Sequence, residues 1–316
     1  MHPAYSVIVF TTASGAGYGL LIWLSAGVAL GLLPRSSALG LTGLGLALAL
    51  VTLGLLSSTL HLGRPERAWR AFSQWRTSWL SREGVAAVAT YLPAGALGLG
   101  WVFGEMVPSQ MTIAAGLAIA GALVTLWCTG KIYSSLTTIR AWNHTLVPPV
   151  YIVLALATGG LLACALLPMF GIDIRWLSGS TVLALIAAWV LKKRYWRSID
   201  SAARTLTAEA ATGLGHFGTV RPLDPPHTQP NYVMREMGYQ VARRHALKLR
   251  RVSVGLLFLV PLVLTTWLLT PLPTFAQLIL ATVAVLSAAA GVLVERWLFF
   301  AEAEHTVVVY YRGGTA

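Results

Sequence analysis

The sequence predicts an all-α integral membrane bundle of eight transmembrane helices, with a long cytoplasmic loop between the sixth and seventh. Composition is the first reason: 56% of the 316 residues are hydrophobic and only 11% are charged, against roughly 25% charged in a soluble domain. The second is a mean hydropathy of +0.69. The third is that the apolar residues gather in eight runs, each read as crossing the hydrocarbon core, a task that takes about 20 helical residues.

The first run, Ile8 to Leu33, follows an opening with neither a basic n-region nor a small-residue cleavage site. It is expected to remain as a helix rather than leave as a signal peptide. Its Ser14, Gly15 and Gly17, with Gly40, Gly43, Gly45 and Gly54 of the second run (Ala38 to Leu60), are small residues that let helices approach closely in lipid. The third to fifth runs are Val85 to Val107, Met111 to Ser135 and Val147 to Met169, and the sixth, Leu177 to Leu191, is the shortest. The stretch 192–251 then carries twelve Lys and Arg. It divides into the helix-compatible "KKRYWRSIDSAARTLTAEAATGLG", the irregular "TVRPLDPPHTQPNY", and the basic amphipathic "MREMGYQVARRHALKLRR". A loop of that length in a compact protein is functional or disordered, and it is read as a docking surface for a soluble subunit, with Thr219 to Tyr232 as its critical part; a solvated linker is the alternative. The last runs are Val252 to Thr270 and Phe275 to Phe300. The whole chain, 1–316, reads as one membrane domain.

Charge sets the expected orientation. With eight spans, every Lys and Arg except Arg35 and Arg175 falls on one face, and the bias survives removal of the long loop from the count. Basic residues near span ends mark the cytoplasmic side, so both termini and the loop 192–251 are expected there. The net charge of +12 is accounted for by this topology and by anionic lipid; no nucleic-acid motif accompanies it.

The stretch "STLHLGRPERAWRAFSQWRTSWLSREG", 58–84, packs five arginines, a histidine, two glutamates and three tryptophans between two apolar runs. Pro65 suits a first helical position. Trp69, Phe72, Trp75 and Trp79 recur at helical spacing, so a short helix is expected to lie in the interface with an aromatic face. Tryptophans and arginines at that depth also have an ordinary reading, as belt anchors and orientation signals. His61 and Glu83 are harder to dismiss, because ionisable groups at membrane depth mark functional sites. Ser81 stands just before Arg82 and Glu83, and Gly63 permits a tight exit into Arg64.

A quinone head group would use such residues. Its carbonyl oxygens accept hydrogen bonds and its reduction consumes protons, so donors and a titratable relay are needed. Histidine suits the relay; arginine cannot give up its proton but polarises a carbonyl or holds Glu83. On the same face, "KIYSSLTTIRAWNH" supplies Lys131, Tyr133, Arg140 and His144. The closing "VERWLFF" supplies Glu295 and Arg296, read either as a charge pair between helices or as part of the quinone site. Glu105 and Asp173 fall on the opposite face as solvated end residues. Cys128 and Cys164 lie in separate spans without a second cysteine at ligand spacing, so an iron–sulfur or zinc centre must belong to a partner. His61, His144 and His305 sit at span ends, which disfavours haem. The run centres are nearly free of charge and no repeat is evident, which disfavours a small-solute transporter, the alternative of a different class.

The motifs "STLHLGRPERAW", "WLSREG", "KIYSSLTT" and "VERWLFF" resemble the DmsC family, the membrane anchors of dimethyl sulfoxide reductase and related molybdenum enzymes, and the resemblance runs over most of the chain. It implies a haem-free anchor in the bacterial cytoplasmic (inner) membrane. Such an anchor exchanges electrons between the quinone pool, ubiquinone or menaquinone, and an iron–sulfur subunit, which is wired to a molybdopterin catalytic subunit. It places the quinone site at His61, Gly63, Arg67 and Glu83; the reading of the residues adds Arg64, Ser81 and Tyr133. The opening "MHPAYSVIVFTTASGAGYGLL" and the long basic loop look more like the anchors of cytoplasm-facing sulfite-oxidising enzymes, the SoeC type. By that resemblance the chain passes electrons from sulfite oxidation to quinone without itself acting on sulfite, and an anchor that oxidises menaquinol for a dimethyl sulfoxide reductase is the alternative.

Overall fold

A computed structural model describes residues 3–60, 62–104, 106–201, 207–220, 223–224 and 241–311. Its regular structure among these residues is helical, with one isolated antiparallel bridge between Ile139 and His305. Helices α1 (Tyr5–Ala29), α2 (Ser37–Ser57), α3 (Trp79–Phe103), α4 (Pro108–Ser134), α5 (Val147–Leu166, extended by a 3-10 turn to Phe170) and the C-terminal helix (Thr274–Ala301) are long and apolar enough to cross a membrane. Two further elements pack among them: α6 (Arg175–Ser201), and a broken helix built from Val241–Ser253, a π-helical turn Val254–Leu259 and Val260–Trp267.

Local signals set several ends. Ser36 caps α2 by accepting from the Leu39 N–H at 3.4 Å, and Ser78 caps α3 by accepting from the Ser81 N–H at 3.5 Å. That second cap starts α3 six residues before the apolar run at Val85, so Ser81 and Glu83 are helical. Gly104, at φ 74°, ends α3 in the left-handed conformation that glycine adopts without cost. The stretch between α2 and α3 forms a 3-10 helix, Pro65–Gln74, with Pro65 at its start as expected.

Small residues decide how closely the helices approach. The tightest contact is between α1 and α5, where a Cβ on Gly19 would stand 1.8 Å from the Ala155 carbonyl oxygen and one on Gly159 would stand 2.1 Å from the Gly19 carbonyl carbon. Backbones therefore touch there, as small residues allow in lipid. Gly17 meets α2 at Ala47 and Val51, and Gly54 meets α1 at Ser14, as the sequence led one to expect. Gly15 and Gly45 have nothing within 4 Å, so these two are not packing contacts.

The break in the broken helix follows from Pro261. Proline has no N–H for the carbonyl four residues back and its ring crowds it. The chain widens to a π turn, in which the Val260 N–H bonds to the Gly255 carbonyl. The Leu256 carbonyl then accepts instead from the Ser287 hydroxyl of the C-terminal helix, at 2.8 Å.

Three charges are buried at one end of the bundle. Lys192 of α6 is ion-paired with Glu295, whose Oε2 is 3.5 Å from Arg296 Nε; all three residues are at most 2% exposed. The Lys192 ammonium lies over the rings of Tyr195 (4.4 Å) and Trp196 (5.1 Å), and the Arg296 guanidinium over Tyr151 (3.8 Å). This corrects the expected start of the loop at Lys192: α6 runs on to Ser201, and burial against Glu295 draws Lys192 into the core. Nearby, Arg250 forks onto Glu302 (3.0 and 2.9 Å) and reaches Asp200 (2.7 Å). Most of the expected docking segment Thr219 to Tyr232 lies outside the described residues.

Between α4 and α5, His144 Nδ1 accepts from the Leu146 N–H at 3.1 Å while Nε2 faces the Ser198 hydroxyl at 2.8 Å. A second proton on Nδ1 would point at an N–H. Partial burial lowers the proton affinity of this imidazole below the ordinary histidine value.

Gly159→Val should cost about 3 kcal/mol or more by overpacking, whereas Gly45→Val leaves the thermal midpoint in detergent nearly unchanged. Glu295→Gln, which strands two buried cations, should cost about 3–5 kcal/mol; Lys192→Met costs less, because Arg296 still faces the carboxylate. Equal melting of these last two would exclude the pairing. Because the unfolded chain protonates His144 first, its contribution to stability is complete above pH ~6.5 and is lost as pH falls below that value. His144→Gln should flatten that part of the melting profile.

Candidate functional site

A cavity of about 880 Å³ opens beside the start of α3, within the size range of sites for small organic ligands. Its walls come from the first residues of α1 (Ala4, Val7, Phe10), the end of α2 (Leu55, Leu56), the 3-10 stretch (Ala68, Trp69, Phe72) and α3 (Leu80, Ala87, Val88). Ile132, Tyr133, Trp142 and Phe300 close it. The 3-10 stretch is held in place by Phe72, whose ring would meet a Cβ on Gly84 at 3.2 Å.

Polar groups are few and specific. Glu83 lines the cavity yet is only 4% exposed, and it accepts a hydrogen bond from the Thr129 hydroxyl of α4. Arg64 and Arg67 line the cavity from the exposed stretch, beside Gly63. Tyr133 stands in an aromatic cluster, its ring 5.4 Å from those of Trp142 and Phe300 and 5.5 Å from Phe299. Such edge-on packing fixes the ring. The Trp142 indole N–H is bonded in turn to the Phe299 carbonyl at 2.8 Å.

Of the residues singled out from the sequence, Gly63, Arg64, Arg67, Glu83 and Tyr133 meet at this cavity. His61 lies outside the described residues, and its neighbours Thr59, Leu62 and Gly63 line the wall. Ser81 does not line the cavity: the early start of α3 turns it inward, where its hydroxyl is buried without a hydrogen-bond partner. The expected aromatic face is divided. Trp69 and Phe72 reach the cavity, whereas Trp79 belongs to α3 and sits beneath Arg82 (4.3 Å) and Lys131 (5.4 Å). Glu295 and Arg296 are paired within the bundle and do not line the cavity. Thr129 escaped the sequence reading because a threonine in an apolar run carries no signal until its partner, 46 residues away, is known.

Chemically, the site offers apolar walls, one buried carboxyl, guanidinium donors and a phenol. It fits an apolar molecule with hydrogen-bond acceptors at one end. Among the described residues no three His, Cys, Asp or Glu side chains gather as a metal site.

The sequence profile of the DMSO reductase anchor subunit (DmsC) matches residues 1–301. The C component of the sulfite dehydrogenase of Allochromatium vinosum is 31% identical over 331 aligned residues, which span 99% of each protein. The C component of the anaerobic dimethyl sulfoxide reductase of Escherichia coli is 28% identical over 142 residues, 43% of this protein and 48% of that one. With a match over nearly its whole length and the motif residues gathered around one cavity, this chain belongs to the DMSO reductase anchor subunit (DmsC) family.

Proposed function

We propose that this chain is the quinone-reactive membrane anchor of a sulfite-oxidising molybdenum enzyme. A molybdopterin subunit oxidises sulfite to sulfate, releasing two electrons that reach an iron–sulfur subunit docked on the cytoplasmic face. Quinone, bound as an exchangeable substrate in the cavity beside α3, takes up those two electrons and two protons and leaves as quinol. Sulfite is favoured over dimethyl sulfoxide because the match to a sulfite dehydrogenase component spans 99% of both proteins, against less than half for the dimethyl sulfoxide reductase component. Charge distribution supports eight spans in the cytoplasmic membrane, with α6 and the broken helix as the sixth and seventh and both termini in the cytoplasm.

One observation carries the quinone reading: a large, mostly apolar cavity is lined by one buried carboxyl, Glu83, and by the exposed Arg64 and Arg67. In the apolar surroundings a ring with two carbonyl oxygens is desolvated at low cost. Arg64 and Arg67 donate to a carbonyl oxygen and stabilise the negative charge that develops there during reduction. Glu83, on the cavity wall, hands a proton to the reduced ring. His61, next in sequence to the wall, is assigned the second protonation by its residue type.

In the assembled complex, Glu83→Gln should lower sulfite-driven quinone reduction about a hundredfold, while sulfite oxidation with a soluble dye persists. Arg67→Ala should chiefly raise the KM for quinone. Wild-type quinone turnover in Glu83→Gln would remove this cavity from the reaction.

A further inference from the structure

The bond between Thr129 and Glu83 has a second side. Thr129 Oγ1 also lies 3.0 Å from the backbone carbonyl of Thr125, so its one proton has two acceptors to choose from. While Glu83 is ionised, the hydroxyl donates to the carboxylate. Once Glu83 is protonated, the carboxyl O–H donates to Thr129 Oγ1, and the threonine turns its own proton to Thr125. A rotation of one hydroxyl therefore serves both states without moving the carboxyl. A hydroxyl has one donor and two acceptor positions, so both lone pairs are open while Glu83 is ionised and one remains open once it is protonated.

Behind Thr129, between α1, α4, α5 and the C-terminal helix, is a second cavity of about 10 Å³, room for a single water molecule. Thr129, Thr12, Tyr151 and Arg296 line it. The Thr12 hydroxyl, the Tyr151 hydroxyl and Arg296 Nη1 are each buried without a hydrogen-bond partner, and Tyr151 and Arg296 are at most 3% exposed. Buried polar atoms of that kind around a space of that size are what an internal water satisfies. Such a water accepts from Arg296 and Tyr151 and donates to the remaining lone pair of Thr129.

We propose that Thr129, backed by one water held by Arg296 and Tyr151, is a positioning residue that keeps the Glu83 carboxyl at the cavity wall in both of its protonation states. This rests on the quinone reading above, and it adds a link from the buried Lys192–Glu295–Arg296 cluster to the site. Thr129 keeps its own proton in both states: its hydroxyl only reorients between Glu83 and the Thr125 carbonyl, and it neither gives a proton to the ring nor takes one from it.

The test compares Thr129→Val, which keeps the shape and removes the hydroxyl, with Thr129→Ser, which keeps the hydroxyl. Both are made in the complete complex, with assembly checked by co-purification of the soluble subunits. Loss of a hydrogen bond to a charged group should lower kcat for quinone reduction in Thr129→Val about tenfold or more. The KM for quinone should stay within about twofold, and Thr129→Ser should keep most of the turnover. Wild-type kcat in Thr129→Val overturns the proposal, as does equal impairment of both variants, which would mean packing. If Thr129→Val fails to assemble, Thr129→Ser and an experimental density map that resolves ordered water decide it: one peak bonded to Thr129 and Arg296 is expected, and a dry cavity overturns the water. If Glu83→Gln also turns over normally, the quinone reading has failed; if only the Thr129 variants do, this inference alone has failed.

Discussion

Hydrocarbon offers no hydrogen bonds, so a polar group that enters this bundle is costly unless it finds a partner inside it. That constraint accounts for much of the architecture. Threonines and serines along the helices, among them Thr11, Ser14, Thr90 and Thr158, bond back to carbonyls three or four residues earlier. The Trp23 indole reaches from α1 to the Leu156 carbonyl of α5 at 2.8 Å, across the same pair of helices whose glycines touch. Where Pro261 frees a carbonyl, Ser287 covers it. Charges obey the same rule at greater cost: Lys192, Glu295 and Arg296 come from two helices to one point, and aromatic faces of Tyr151, Tyr195 and Trp196 supply the rest of their surroundings.

Glu83 departs from this pattern in a way that suits chemistry. Among the described residues its partner is the Thr129 hydroxyl, and its other surroundings belong to the cavity. No ion pair among those residues locks it into one charge state, and the threonine holds one oxygen in place. The contrast with Glu295, locked between two cations, is one of surroundings: an ion pair on one side, a cavity wall and a single hydroxyl on the other. Sequence position near a span end made the two look alike.

The polar contrast between runs and loops carried the membrane fold, because an apolar run of about 20 residues has few other stable outcomes. The cluster around the α2–α3 connection was legible for a related reason. Gly63, Arg64, Arg67 and Glu83 lie within 21 residues of one another, and so short a connection between two apolar helices keeps them together. Tyr133 was found through its place at the C-terminal end of α4. Less was legible wherever a side chain's direction mattered. Ser81 and Glu83 are two residues apart, and only the rotation of α3, set by the Ser78 cap, puts one away from the cavity and the other on its wall.

By itself, the sequence determined the helical membrane class, the approximate limits of the apolar runs, the family and the polar stretch that borders the cavity. These depend on composition and on neighbours along the chain, and both are written in order. Tertiary structure decided which of two carboxyls lines the cavity, that Lys192 lies in the core rather than in a loop, that Gly19 and Gly159 mark the closest helix crossing, and that Thr129 holds Glu83. Each of these joins residues from different helices, 46 positions apart for Thr129 and Glu83. Their meeting depends on how the helices pack and rotate, which an apolar sequence specifies only through the sum of many small contacts.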